Sequence, residues 1–269
     1  MSLWPWEGVR PRWQKRKRKH LKFSIRSRTE ADGANPYGGV IADKAGNLYG
    51  TTYYGGPAHS GSVFELTPAG KVTFSYDFPT GGGYGPLAGV TRDSKGNLYG
   101  TTSLGGANDR GTVFKLAPDG TKTTLHDFTA GNDGSAPYDA LILDKKGNLY
   151  GTTAAGGPGG AAGCGVIFKM TPKGKETVLH SFTSNGDGCY PTAGLIADSA
   201  GNFYGTTYYG GNYGYGTVFK LTPDGTETVL YSFIGGSDGN EPYAGPDHGQ
   251  GGQSLIKNLF HRLPGEASI

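Results

Sequence analysis

Aspartates recur in one setting along this chain. The pattern Phe-x4-Asp-Gly-x2-Pro places Asp133, Asp187 and Asp238 in equivalent loops, and Asp32 precedes Gly33 in the same manner near the start. Carboxylates gathered at the mouth of a channel would suit Ca²⁺, a hard cation that takes oxygen ligands. The competing reading is a turn, in which each Asp bonds its own backbone next to a glycine. One copy has no carboxylate there and reads Gly81-Gly82-Gly83-Tyr84.

Tyrosines form the second group. Tyr53, Tyr54, Tyr208, Tyr209, Tyr213 and Tyr215 fall in glycine-rich loops. On an exposed rim they would stack on a glycan or anchor a peptide or protein, since tyrosine brings contact area at small entropic cost. The alternative is packing between neighbouring units. Cys164 and Cys189 are a candidate disulfide, and two thiols alone make a weak metal site. His126 and His180 occupy equivalent positions where other copies carry Tyr76 and Tyr231, so they read as strand residues, and His59 stands alone in a loop. No nucleophile–base pair, HExxH motif or phosphate loop is present, so the chain offers no catalytic residues.

What positions these residues is a repeat. Asn47-Leu48-Tyr49-Gly50-Thr51-Thr52 returns at Asn97, Asn148 and, with Phe203, at Asn202, at spacings of 50, 51 and 54. A second block runs from Gly61 to Leu66 and returns at Gly111, Gly165 and Gly216. A third ends at Phe78, Phe128, Phe182 and Phe233, and a fourth ends at Asp43, Asp93, Asp144 and Asp198. Each block is short, rich in β-branched and aromatic residues and bounded by Gly, Pro, Asn or Asp, as strands are. The first unit predicts strands over Gly39–Asp43, Asn47–Thr52, Ser62–Thr67 and Val72–Phe78, called A to D. The late D strand Thr228–Phe233 alternates as though one face were buried. Tight turns, Asp-x-x-Gly-Asn between A and B and Pro-x-Gly between C and D, fall on one edge. The longer B–C and D–A loops then share the opposite edge, and that edge carries the tyrosines, the loop aspartates and both cysteines. The aspartates that begin the A–B turns read as structural, because every unit has one.

Antiparallel strands, four to a unit of about fifty residues, predict an all-β fold: a β-propeller of about four blades with partial terminal units, closed or left as an open arc. The units run about 32–82, 83–133, 134–187 and 188–238, and a partial unit extends to 245. The blocks N-L-Y-G-T-T, G-T-V-F-K-L-x-P-x-G and L-Y-S-F resemble the tandem repeat called GloVer, found in choice-of-anchor bacterial β-propeller proteins. The resemblance implies export and display at the cell surface, and it supplies no enzyme activity and no catalytic residues. The D-x-x-G-N-x-Y part resembles NHL-type propellers more loosely.

Both ends depart from the repeat. Residues 1–31 hold a basic, disordered-looking segment that includes Lys15–His20. After Gly245 the octapeptide Pro246–Gln253 is also what one inserted base would produce from the expected block Leu-Ile-Met-Asp-Lys-Ala-Gly-Asn. Segment 246–269 therefore reads either as a frameshifted tail or as a natural divergent one. The net charge of +3 divides unevenly: residues 1–28 carry ten Lys/Arg and one acid, net +9, and the rest, with fifteen Lys/Arg and twenty-one acids, is −6. The repeat body thus has no basic surface for a phosphate backbone. No run approaches a membrane span, and no signal peptide is read, so the location is extracellular by resemblance and cytoplasmic if Met1 is the native start.

These observations predict a non-catalytic extracellular binding or scaffold propeller, its ligand a glycan, peptide or protein on the open-loop face. No cofactor is expected apart from Ca²⁺ at the loop aspartates. The alternatives are a propeller enzyme of lyase or lactonase type with a channel-mouth cation, and nucleic-acid or anionic-surface binding through the basic N-terminal segment.

Overall fold

A computed structural model describes residues 33–243 of the chain. The basic segment 1–31, Asp32 and the tail 246–269 lie outside the described residues. Sixteen strands form four antiparallel sheets of four. The first holds β1 (Ile41–Ala42), β2 (Leu48–Thr52), β3 (Ser62–Leu66) and β4 (Val72–Asp77), in that spatial order. The second holds β5 (Thr91–Arg92), β6 (Leu98–Thr102), β7 (Thr112–Leu116) and β8 (Lys122–Asp127). The third holds β9 (Ile142–Leu143), β10 (Leu149–Thr153), β11 (Val166–Met170) and β12 (Glu176–Ser181). The fourth holds β13 (Ile196–Ala197), β14 (Phe203–Thr207), β15 (Thr217–Leu221) and β16 (Glu227–Ser232). No α-helix occurs among the described residues, and none is long and apolar enough to cross a membrane. The fold is all-β, built of propeller blades.

The A–B turn is held by its aspartate. Asp43 Oδ1 accepts the amides of Ala45 and Asn47, and Oδ2 accepts Asn47 Nδ2 and the Tyr49 hydroxyl, all at 2.9–3.1 Å. Asp93, Asp144 and Asp198 make the same set of bonds with their own Asn and Tyr. Burial pushes these carboxyls up, and the donated bonds more than cancel it, so all four ionise below the usual range. The glycine of each turn has φ between 83° and 88°, a conformation that L side chains rarely adopt.

The inner A strands are shorter than the sequence suggests. β1 pairs only through Ile41↔Tyr49 and Ala42↔Leu48. The cause is crowding between blades. A Cβ on Gly38 would lie 2.2 Å from the Gly89 amide nitrogen, and one on Gly89 would lie 2.4 Å from the Gly39 carbonyl oxygen. The backbone before the A strand therefore meets the next blade rather than its own sheet. The outer D strands also differ from expectation. They are half-buried without a cleanly buried face, because their pairing with C shifts register once in every sheet, which breaks the period of two.

The core lies between blades. Phe78 after β4 meets Phe114 of the second blade, Phe128 meets Phe168, and Phe182 meets Phe219, with centroids 5.2–5.4 Å apart. All six rings are buried. Threonines of the B strands add a polar tie: Thr51, Thr101 and Thr152 donate to the carbonyls of Ala88, Asp139 and Ala193 in the following unit. Thr206 Oγ1, their counterpart, is buried without a partner among the described residues.

Within each blade the ring from the C strand lies over the B-strand glycine. A Cβ on Gly151 would meet Leu141 Cδ2 at 2.7 Å and Phe168 Cζ at 2.9 Å. Forcing atoms into a close-packed core costs about 1–3 kcal/mol. Gly151→Ala is therefore expected to lower the unfolding free energy by that amount in urea titrations, and Phe168→Leu in the same chain should restore part of it. A Gly151→Ala protein as stable as wild type would show that this contact has slack.

Candidate functional site

The B–C and D–A loops do share one edge. Bridges join them directly in every unit: Ala34 with Tyr54, Tyr84 with Leu104, Ser135 with Ala155, and Cys189 with Tyr209. Cys164, in the third B–C loop, and Cys189, in the next D–A loop, form a disulfide across this edge and link the third and fourth blades.

Where the inner strands converge beneath these loops lies a cavity of about 830 Å³. Its wall repeats one position. The residue after the D–A loop proline is Tyr37, Leu87, Tyr138, Thr192 or Tyr243 in successive units, and all five line the cavity. Tyr53 and Tyr54 complete the wall. Tyr53 meets Tyr54 edge-on at 4.5 Å and Tyr37 at 5.7 Å. Tyr37, Tyr54 and Tyr243 remain at least half exposed, so their rings are free for contact. Asp139 also lines the cavity. Burial pushes its carboxyl up against the opposing pull of the Ala140 and Gly194 amides. Among the described residues, the lining holds no lysine, arginine or histidine.

The tyrosines singled out in the sequence divide. Tyr53 and Tyr54 are in the cavity wall. Tyr208 stands behind it, edge-on to Tyr243 at 5.6 Å, with its hydroxyl donating to Glu241 at 2.7 Å, a bond that raises its pKa. Tyr209 stacks edge-on against Tyr208 and Tyr190. Tyr213 and Tyr215 are exposed at the far end of the loop edge and do not line the cavity. Sequence reading missed Tyr37, Tyr138 and Tyr243. The available signal was their shared place after the loop proline, which carries meaning only once the units are curved around one axis.

The loop aspartates are not brought together at the cavity. Asp133 accepts the Thr129 amide at 2.9 Å and the Thr129 hydroxyl at 2.5 Å, and Asp187 does the same with Thr183. Asp238 accepts the Ile234 amide at 3.0 Å and the Tyr231 hydroxyl at 2.7 Å. Each instead meets the end of the D strand of its own blade, and Asp133 and Asp187 do so at the seam with the next blade. The histidines, read from sequence as strand residues, lie at these seams. His126 Nε2 is 3.1 Å from Asp133, and His180 Nε2 is 3.4 Å from Asp187. Glu176 and Glu227, which begin the following D strands, have carboxyls pushed up to about 7, chiefly by burial and then by Asp133 and Asp187.

Blades in tandem, a shared loop edge and a tyrosine-walled axial cavity define a repeat protein of the propeller class. The chain belongs to the Gloeobacter/Verrucomicrobia repeat family, whose model matches residues 35–255. No curated protein matches its sequence. Among solved structures it is similar to a gluconolactonase from Xanthomonas campestris, with 15% identity, 71% of this chain and 60% of that chain covered, and a TM-score of 0.48. It is likewise similar to a protein of proposed gluconolactonase function, with 20% identity, 71% and 61% covered, and a TM-score of 0.46. The extracellular domain of a proposed hybrid two-component system from B. thetaiotaomicron matches with 14% identity, 76% and 25% covered, and a TM-score of 0.46. The chain thus spans about three fifths of the first two proteins and a quarter of the third. These likenesses concern the fold alone.

Glu227 makes the seams sensitive to pH. Its folded pKa of about 7 lies above the unfolded value of about 4.3, so the protonated form is favoured by folding. That contribution is complete below about pH 4.3 and is lost as pH rises through about 7. Glu227→Gln, which fixes the neutral form, is expected to gain about 1 kcal/mol on wild type between pH 4.5 and pH 8, the full shift being discounted because the side chain is partly in water. Urea unfolding at several pH values reads this out, and parallel wild-type and variant profiles would refute the shift.

Proposed function

We propose that this chain is a non-catalytic extracellular binding propeller that seats a neutral glycan in the axial cavity. The observation that carries the reading is the wall formed by Tyr37, Tyr53, Tyr54, Tyr138 and Tyr243. Tyrosine rings offer flat apolar faces to sugar rings and hydroxyls to their rims. Thr192 lines the same space as a small polar residue among the rings. The described lining, which has no cationic side chain, suits a neutral ligand better than a phosphorylated or strongly acidic one. The disulfide supports an oxidising, extracytoplasmic setting. A scaffold role, with a peptide or protein on the same face, uses the same tyrosines.

A panel of neutral oligosaccharides tested against the full chain by calorimetry checks this. At least one is expected to bind, and Tyr138→Ala and Tyr53→Ala should each weaken it by about tenfold, a loss near 1.4 kcal/mol. Tyr213→Ala should leave it unchanged. Absence of binding across the panel, or binding indifferent to Tyr53 and Tyr138, would overturn the glycan reading. Opening of a sugar lactone that disappears in Asp139→Asn would make the cavity catalytic instead.

A further inference from the structure

The seam between the second and third blades gathers side chains that ligand binding in the cavity does not use. His126 lies near the end of β8, Asp133 in the loop that follows, and Glu176 at the start of β12. His126 Nε2 is 3.1 Å from Asp133 Oδ2 and 3.8 Å from Glu176 Oε2. One ligand atom from each of the three lies within 4.8 Å of the other two. A tetrahedral ion with bonds of about 2.0–2.2 Å requires ligand atoms roughly 3.3–3.6 Å apart, which the two histidine distances bracket. The side chains are 20%, 15% and 12% exposed, so the group is largely desolvated yet reachable.

The charges there are unbalanced. Among the described residues no lysine or arginine forms an ion pair with Asp133 or Glu176. Glu176 Oε1 is buried with no hydrogen-bond partner among the described residues. A carboxylate oxygen left in that state costs about 1–3 kcal/mol and calls for a donor or a cation.

The preceding seam shows how the same place can be satisfied. There the counterparts of His126 and Glu176 are Tyr76 and Lys122, and the loop has Gly82-Gly83 in place of an aspartate. Lys122 sends its ammonium into that seam, 2.6 Å from the Gly82 carbonyl oxygen and over the Phe78 ring. Where the loop lacks the aspartate the chain supplies a lysine, and where it has His126, Asp133 and Glu176 no lysine or arginine among the described residues pairs with them. The following seam repeats the residue types more loosely with His180, Asp187 and Glu227.

We propose that His126, Asp133 and Glu176 bind a divalent transition-metal ion of the Zn²⁺ class and so clamp the second blade to the third. A neutral imidazole and two carboxylates balance a dication, leaving one tetrahedral position to water. Ca²⁺ suits the group poorly, since it takes six to eight oxygen ligands. Asp133 keeps its turn bonds to Thr129, because each carboxylate oxygen has a second lone pair. The site is independent of the cavity and of what the cavity binds.

Zn²⁺ titrated calorimetrically into the metal-stripped full chain tests the assignment. One equivalent is expected to bind, with Ca²⁺ at least about tenfold weaker. Glu176→Gln keeps the shape of the protonated side chain, so it preserves the fold while removing a ligand. It and His126→Gln should each weaken this equivalent by at least about tenfold, and His180→Gln should leave it in place. With Co²⁺ as the probe, the visible absorption of a tetrahedral site should appear in wild type and vanish in Glu176→Gln. No Zn²⁺ binding, equal affinity for Ca²⁺, or binding unchanged in both the Glu176 and His126 variants would overturn the proposal.

Discussion

The close approach of an aromatic ring to a bare backbone is the contact on which the rest depends. Phe64, Phe114, Phe168 and Phe219 each lie across the glycine of the neighbouring B strand, at 2.5–2.9 Å from where its Cβ would be. For Phe114, Phe168 and Phe219 that approach leaves the ring's other side for the phenylalanine that follows the preceding blade's D strand. One small residue per blade therefore sets both the thickness of the sheet and the spacing of the blades. The threonine bonds from each B strand to the segment before the next A strand fit only at that spacing, and so does the cavity at the axis.

The blades were legible because the features that make them are local. Asp43, Asn47 and Tyr49 meet within one hairpin, so their types and spacing already state the turn. The sharing of one edge by B–C and D–A loops followed from counting antiparallel strands. The length of the A strand was not legible, because it is cut short by a neighbouring blade, as the contact between Gly38 and Gly89 shows. The half-burial of the D strands was hidden too, since a register shift leaves no mark in the pattern of residue types.

The candidate sites divide along the same line. Tyr53 and Tyr54 stood out as a pair in a loop, whereas Tyr37, Tyr138 and Tyr243 are single residues in three units and converge only through curvature. His126 read as a strand residue because its equivalent elsewhere is tyrosine. Its meeting with Glu176 requires the second and third blades to be in register, and no spacing within one unit records that. The loop aspartates were visible as residues, but a repeated motif does not reveal which way each carboxylate turns. They turn outward to the seams and leave the axis to tyrosine.

The variation at Lys122, Glu176 and Glu227 has a consequence for how such a chain evolves. Tandem units copied by duplication begin as interchangeable parts. Here one position facing the preceding blade is a lysine in the second blade and a glutamate in the third and fourth, matched to what the preceding blade presents. Placing the second blade after itself would set a lysine against His126 and Asp133, and placing the third after the first would leave Glu176 facing a glycine loop. The seams work as keyed joints. They set the second blade apart from the two that follow and penalise shuffled arrangements that the shared hydrophobic contacts alone would accept.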